Sequence, residues 1–154
     1  TPPSSSPTTA SILAEVYKVV VTNAKQSIDP KGLYMVFTSN YPSSAGYCAW
    51  HGAGSVSSSP TFTIAYQPFV GGVAGCAASN LQGFPSTKSN AVDSVANVAT
   101  HEIYETVTDP LLNAWYDSKG AEIGDICALK TAVRVAGYYV QTEWDNSISG
   151  CKLK

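Results

Sequence analysis

Apolar positions recur at helical spacing in two stretches of the chain. Over residues 9–26 they fall at Ile12, Leu13, Val16, Val19, Val20 and Ala24, which predicts an amphipathic helix entered through a Ser or Thr cap. Over residues 89–108 the apolar stripe is Val92, Val95, Ala96, Ala99, Ile103 and Val107, and a second helix is expected there. Ser89 or Asn90 is its expected N-cap, Asp93 suits its first turn, and Pro110 helps to end it. Leu33–Thr38 is a β-prone run that reads as a buried strand after an Asp29-Pro30-Lys31-Gly32 turn. Residues 61–66 alternate, with Phe62, Ile64 and Tyr66 on one side, and predict a second strand. Residues 131–143 predict one or two strands around Gly137. The stretches 39–60, 71–87 and 113–127 read as loops, the first holding Cys48-Ala49-Trp50-His51-Gly52. Residues 1–9 are a Pro/Ser/Thr-rich arm expected to be disordered, which leaves residues 10–154 as one domain.

Composition narrows the class. Of 154 residues 44% are hydrophobic, enough for one core, while only 13% are charged, about half the typical share of ~25%. The low charge and the abundance of Ser, Thr, Ala and Gly favour a secreted, extracellular protein. A net charge of −2 without a basic patch argues against nucleic acid as a partner. No apolar run approaches the ~20 residues that span a bilayer, so no membrane association is expected. The chain begins at Thr1, and a removed leader or longer N-terminal segment is expected before it. The four cysteines, without any C-x-x-C pair, favour two disulfides. Cys48–Cys76 and Cys127–Cys151 are the favoured pairing, because each pair brackets its own section of chain and closes the shorter loop.

The chemistry concentrates in His101-Glu102-Ile103-Tyr104-Glu105, followed by Asp109-Pro110. This is the H-E-x-x-H zinc-hydrolase pattern with a glutamate in place of the second histidine. On a helix His101 and Glu105 share a face one turn apart, so both reach one ion, and a carboxylate still binds zinc. Glu102 stands where the general base belongs. A third ligand must come from elsewhere; Asp125, Glu122, Asp109 and His51 are the candidates. Six of the eleven acidic residues lie between His101 and Asp125 against a single lysine, and a bound cation would relieve their repulsion. One histidine with several carboxylates leaves Ca2+ or Mn2+ as alternatives to Zn2+. Asp117-Ser118-Lys119-Gly120-Ala121-Glu122 is a further candidate for an oxygen-ligand calcium loop, outside the EF-hand pattern.

Several stretches together resemble the exordium-like, or phosphate-induced-protein-like, secreted family: Gly32 to Ser39, Gly46 to His51, His101-Glu102 through Asp109-Pro110, Asn113 to Tyr116, Glu122 to Cys127 and, more loosely, Glu143-Trp144 to Cys151. The resemblance implies a secreted, disulfide-containing domain whose plant members are associated with the cell wall and extracellular growth responses. It also implies that H-E-x-x-E is the family's own form, with His101, Glu105 and Asp125 as the metal set and Glu102 as base. Plant versions often read Asn-Pro where this chain has Asp109-Pro110. This chain also lacks their glycine-rich insertions, which places it closer to microbial relatives.

The resulting expectation is an α+β, zincin-like fold: a small mixed sheet packed with two main helices and stapled by disulfides. The expected activity is a secreted, zinc-dependent hydrolase, a metallopeptidase acting as a monomer on protein or peptide substrates. In it His101, Glu105 and Asp125 hold Zn2+, Glu102 activates water, and His51 stabilises the oxyanion or adds a ligand. The alternative is a non-enzymatic, metal-stabilised domain that binds a cell-wall polymer or an extracellular partner, with Trp50, Trp115 and Tyr116 as stacking surfaces.

Overall fold

The computed structural model describes residues 3–85 and 90–153. Helix α1 spans Thr9–Tyr17, with the Thr8 hydroxyl accepting from the Ser11 amide as its N-cap. The expected single helix does not continue unchanged. Over Lys18–Asn23 it widens into π turns that bury no residue. Strands β1 (Leu33–Thr38), β2 (Trp50–Gly54) and β3 (Phe62–Pro68) form one sheet in the order β1-β3-β2. β1 is parallel to β3 and β2 antiparallel to it.

β3 is the central strand and is buried along all seven residues. Pleating turns Phe62, Ile64 and Tyr66 toward α1, where they pack with Ile12, Leu13, Val16 and Ile28. Thr63, Ala65 and Gln67 face the other way. β2 follows the same alternation, because Trp50 is paired with Tyr66 and His51 with Ala65. Trp50 therefore joins the α1 side, its ring 5.6 Å from that of Tyr66. His51 looks out of the opposite face. Gly54 lets α1 lie close on this strand, since a Cβ there would come within 2.6 Å of Leu13 Cδ1. The 39–60 loop read from its Ser, Gly and Pro content is thus interrupted by an edge strand. Its glycines mark close helix packing rather than a turn.

Helix α2 (Ala91–Thr108) covers that opposite face. Its N-cap is Asn90, whose side chain donates to Ser79 Oγ and makes no cap bond, while Ser89 lies outside the described residues. The orientation of α2 reverses the expectation for an amphipathic helix. Val92, Ile103 and Val107 of the apolar stripe are exposed, Val107 by 74%, whereas Asp93, Asn97, Glu102 and Glu105 are buried. The cause lies in its neighbours. The hairpin of β4 (Ala132–Val135) and β5 (Tyr138–Gln141) packs against α2 through side-chain acceptors. Asp93 Oδ1 accepts from the Tyr139 amide at 2.7 Å and Asn97 Oδ1 from the Gln141 amide at 2.6 Å. The buried Gln141 amide is satisfied from α2 in this way, which outweighs exposing three aliphatic side chains.

The loop expected over 113–127 holds a short helix, α3 (Ile123–Ile126), whose capping box is formed by Glu122 and Asp125. A second hairpin, β6 (Glu143–Asp145) with β7 (Gly150–Lys152), closes the chain and was not foreseen. The disulfides are Cys48–Cys76 and Cys127–Cys151, as expected. The segment read as a disordered arm is laid, at Pro3–Ser5, against the 40–43 loop. Asn40 Nδ2 donates to the Pro3 carbonyl and the Ser43 amide to that of Ser4. Among the described residues no helix is long and apolar enough to cross a membrane. The whole is an α+β arrangement of small sheets, two main helices and two disulfides.

The reversed face of α2 makes a direct prediction. Val107→Lys should change stability by no more than about 0.5 kcal/mol, as for other solvated positions. Asn97→Leu should cost about 1–3 kcal/mol by stranding the Gln141 amide. Urea denaturation of the two variants checks this, and the opposite ranking would restore the apolar stripe as the inward face.

Candidate metal centre

Four elements converge on one end of α2. The helix itself supplies His101, Glu102 and Glu105; one turn of spacing sets His101 Nε2 3.0 Å from Glu105 Oε1. The α3 turn brings Asp125, whose Oδ1 lies 3.6 Å from His101 Nε2 and whose amide donates to Glu105 Oε1 at 3.1 Å. Strand β2 supplies His51, with Nδ1 3.3 Å from Glu102 Oε2 and 3.8 Å from Glu105 Oε2. Its Nε2 lies 3.2 Å from the Asp109 carbonyl oxygen and 3.7 Å from Glu122 Oε1. β6 supplies Glu143, only 5% exposed, with neither carboxylate oxygen hydrogen-bonded.

The close approach of α3 requires glycine. A Cβ on Gly124 would sit 2.8 Å from both Glu105 Oε1 and His101 Nδ1. Gln141 Nε2 then fixes the turn by donating to the Gly124 carbonyl at 2.8 Å. Beside the cluster lies a cleft of about 300 Å³, lined by His101, Glu102 and Asp125 and walled by the Cys48–Cys76 disulfide and Tyr47.

Two sets of ligand atoms lie within 4.8 Å of one another: His101, Glu105 and Asp125, and His51, Glu102 and Glu105. The donor chemistry fits a divalent cation. Ligand atoms held at ~2.0–2.1 Å around a tetrahedral ion stand roughly 3.4 Å apart, close to the separations found here. Glu122 Oε1 and both Glu143 oxygens are buried without hydrogen-bond partners, and no lysine or arginine pairs with the cluster's carboxylates among the described residues. Two of the other candidates are occupied elsewhere. Asp109 Oδ1 accepts from the Asn113 and Ala114 amides at 2.6 and 2.7 Å and anchors the following loop. Asp117 Oδ1 closes its own turn on the Lys119 and Ala121 amides.

Comparison with known proteins adds a partial likeness. A stretch of 47 residues is 40% identical to Protein EXORDIUM-like 5 of Arabidopsis thaliana. The match covers 28% of this chain and 13% of that protein, so the chain spans a small part of its relative's length. No family model matches the chain, and no solved structure matches it.

Burial and facing charges shift the titration of the cluster. Burial pulls the His101 imidazole down, but its contacts with Asp125 and Glu105 and the charge of Glu102 outweigh that and raise it well above the ordinary histidine value. Burial raises the Glu102 carboxyl against the pull of His51. Burial, then the charge of Glu105, pushes Glu122 up to about 7, and burial pushes Glu143 up to about 8. The contact with His101 lowers Asp125.

Glu143 and Gly124 escaped the sequence reading. Gly124 was legible as a glycine flanked by Ile123 and Asp125, although nothing local says what approaches it. Glu143 enters only as the start of the loosest exordium-like stretch, with no role in the site.

A pH dependence follows. With unfolded values near 4.5, Glu122 and Glu143 retain protons in the native state that the unfolded chain has released, so their contribution falls as pH climbs from 4.5 through about 7 and about 8. The contribution of His101 is full below 6.5 and is lost as pH rises through its raised value. Asp125, being lowered, acts oppositely, and its contribution is lost only as pH falls below 3.8. Metal-free protein should therefore melt at progressively lower temperature between about pH 5 and pH 8, and excess Zn2+ should reverse the loss. Thermal melts with chelator or zinc measure this. A flat profile in chelator would contradict the burial of these acids.

Proposed function

We propose that the protein is a secreted, zinc-dependent hydrolase acting on peptide substrates. One observation carries the reading: the ligand atoms of His101, Glu105 and Asp125 gather at a cleft that Glu102 also lines. Zinc held on that set would supply Lewis acidity and lower the pKa of water. Glu102 takes the proton and later returns it to the leaving group. Its burial suits this role, because a raised carboxyl is a stronger base near neutral pH. His51 positions Glu102 rather than an oxyanion, since its ring nitrogens face Glu102 and the Asp109 carbonyl and it does not line the cleft. Asp125 is tethered near Cys127 and its disulfide, which limits how far the third ligand can drift. Peptide is the substrate class attached to the H-E-x-x motif. Secretion is supported by the two disulfides and by the exordium-like stretch.

A second reading has its own observation. The Asp125 amide bonds Glu105 directly, so a cation here would also clamp α3 to α2 as a purely structural tie. Such a domain would bind a wall polymer or extracellular partner. Trp50 is withdrawn from that role by its packing on Tyr66, whereas Tyr116 is 54% exposed. Chelation would then lower the melting temperature of a protein that never hydrolyses anything.

Glu102→Gln should reduce hydrolysis of an unfolded protein such as casein by about 10²–10⁴-fold while the first equivalent of zinc is still bound. An unchanged rate would remove Glu102 from the mechanism.

A further inference from the structure

We propose that the cluster takes a second divalent cation, on His51, Glu102 and Glu105, and that filling this second site inhibits the hydrolase. The proposal rests on the first ion lying on His101, Glu105 and Asp125.

Glu105 is divided between the two sets. Its Oε1 faces His101 Nε2 at 3.0 Å and its Oε2 faces His51 Nδ1 at 3.8 Å. One carboxylate thus stands between two imidazoles, the arrangement by which a bridging carboxylate holds paired metal ions.

The orientation of the His51 ring is the independent observation. Its Nε2 lies 3.2 Å from the Asp109 carbonyl oxygen, which only accepts, so Nε2 carries the hydrogen. In the neutral ring Nδ1 is then a lone pair, aimed at Glu102 Oε2 and Glu105 Oε2. Three acceptors facing one another in a buried place need a positive charge between them, which either a proton on Nδ1 or a bound cation supplies. A histidine whose outer nitrogen donates to a backbone carbonyl is the usual form of a metal-ligating histidine. The separation of 3.8 Å to Glu105 is too long for a hydrogen bond, yet it suits two ligands of one ion. His51, Glu102 and Glu105 are all buried, so solvent does little to screen their mutual repulsion.

The charge balance points the same way. A single dication on His101, Glu105 and Asp125 is neutralised by its own two carboxylates. Glu102 remains beside it, buried, with its Oε2 facing His51 Nδ1. Inhibition follows from the identity of the ligands. Glu102 cannot hold a cation and accept a proton at once, so the second ion removes the base that the first ion needs. Activity should rise with the first equivalent of metal and fall with the second.

The test titrates metal-free, disulfide-intact protein with Co2+ alone and follows it by calorimetry and electron paramagnetic resonance. Two equivalents should bind, the second more weakly, and the signal per cobalt should drop with the second because Glu105 bridges the pair. His51→Asn and Glu102→Gln should each bind a single equivalent, with circular dichroism confirming their fold. One equivalent in the wild type overturns this proposal and leaves the proposed function standing; no binding overturns both. Two equivalents persisting in both folded variants, or two uncoupled cobalt signals in the wild type, overturn the placement. In the active protein, hydrolysis should fall at least about tenfold between one and two equivalents, and an unchanged rate overturns the inhibitory role.

Discussion

A carboxylate removed from water costs several kcal/mol unless something nearby answers its charge, and α2 buries Asp93, Glu102 and Glu105 while exposing Val92, Ile103 and Val107. The rest of the structure is organised around that constraint. Asp93 and Asn97 are answered by backbone amides of β5. Glu102 is answered by His51, and Glu105 by His101 and the Asp125 amide. The match between helix and strand is geometric. Four residues of helix rise ~6 Å and two residues of strand ~6.6 Å, so Asp93 and Asn97 meet Tyr139 and Gln141 in step. Glu143 follows Gln141 by two residues in β6, which packs against α3, and so reaches the same end of α2.

The disulfides serve the same end. Cys48 precedes His51 by three positions and Cys127 follows Asp125 by two. Each bridge therefore fixes a segment that brings a candidate ligand from outside α2 to that helix. The chain-entropy model assigns about 3 kcal/mol to a bridge closing loops of this length. That stabilisation is available to offset the repulsion of the buried acids. Gly124 completes the approach, because any side chain there would meet His101 and Glu105.

Legibility in the sequence divided along physical lines. His101 and Glu105 were readable because a helix fixes the relation of residues four apart. β1 and the disulfide pairing were readable from local composition and loop closure. The inward face of α2 was not, because amphipathic reasoning assumes that water is the better solvent for polar side chains. Here strand amides and two imidazoles offer those side chains partners that compete with water and win. The β2 strand was hidden by Gly52 and Gly54, which read as loop residues until α1 is seen packed on them. The place of His51 depended on that strand, and that of Glu143 on a hairpin with no sequence signal.

Replacing the second histidine of the zinc motif by Glu105 changes more than a ligand. With Asp125 it makes a set of charge −2 around one dication, which weakens the electrophilicity that a neutral imidazole would preserve. A weaker Lewis acid demands a stronger base, and burial supplies one by raising Glu102. The same substitution introduces a second carboxylate oxygen, directed at His51, which a histidine at position 105 would not offer. In the proposed centre the glutamate that completes the first site would therefore also create the second. Such a centre would gain sensitivity to metal concentration from the very residue that departs from the familiar motif.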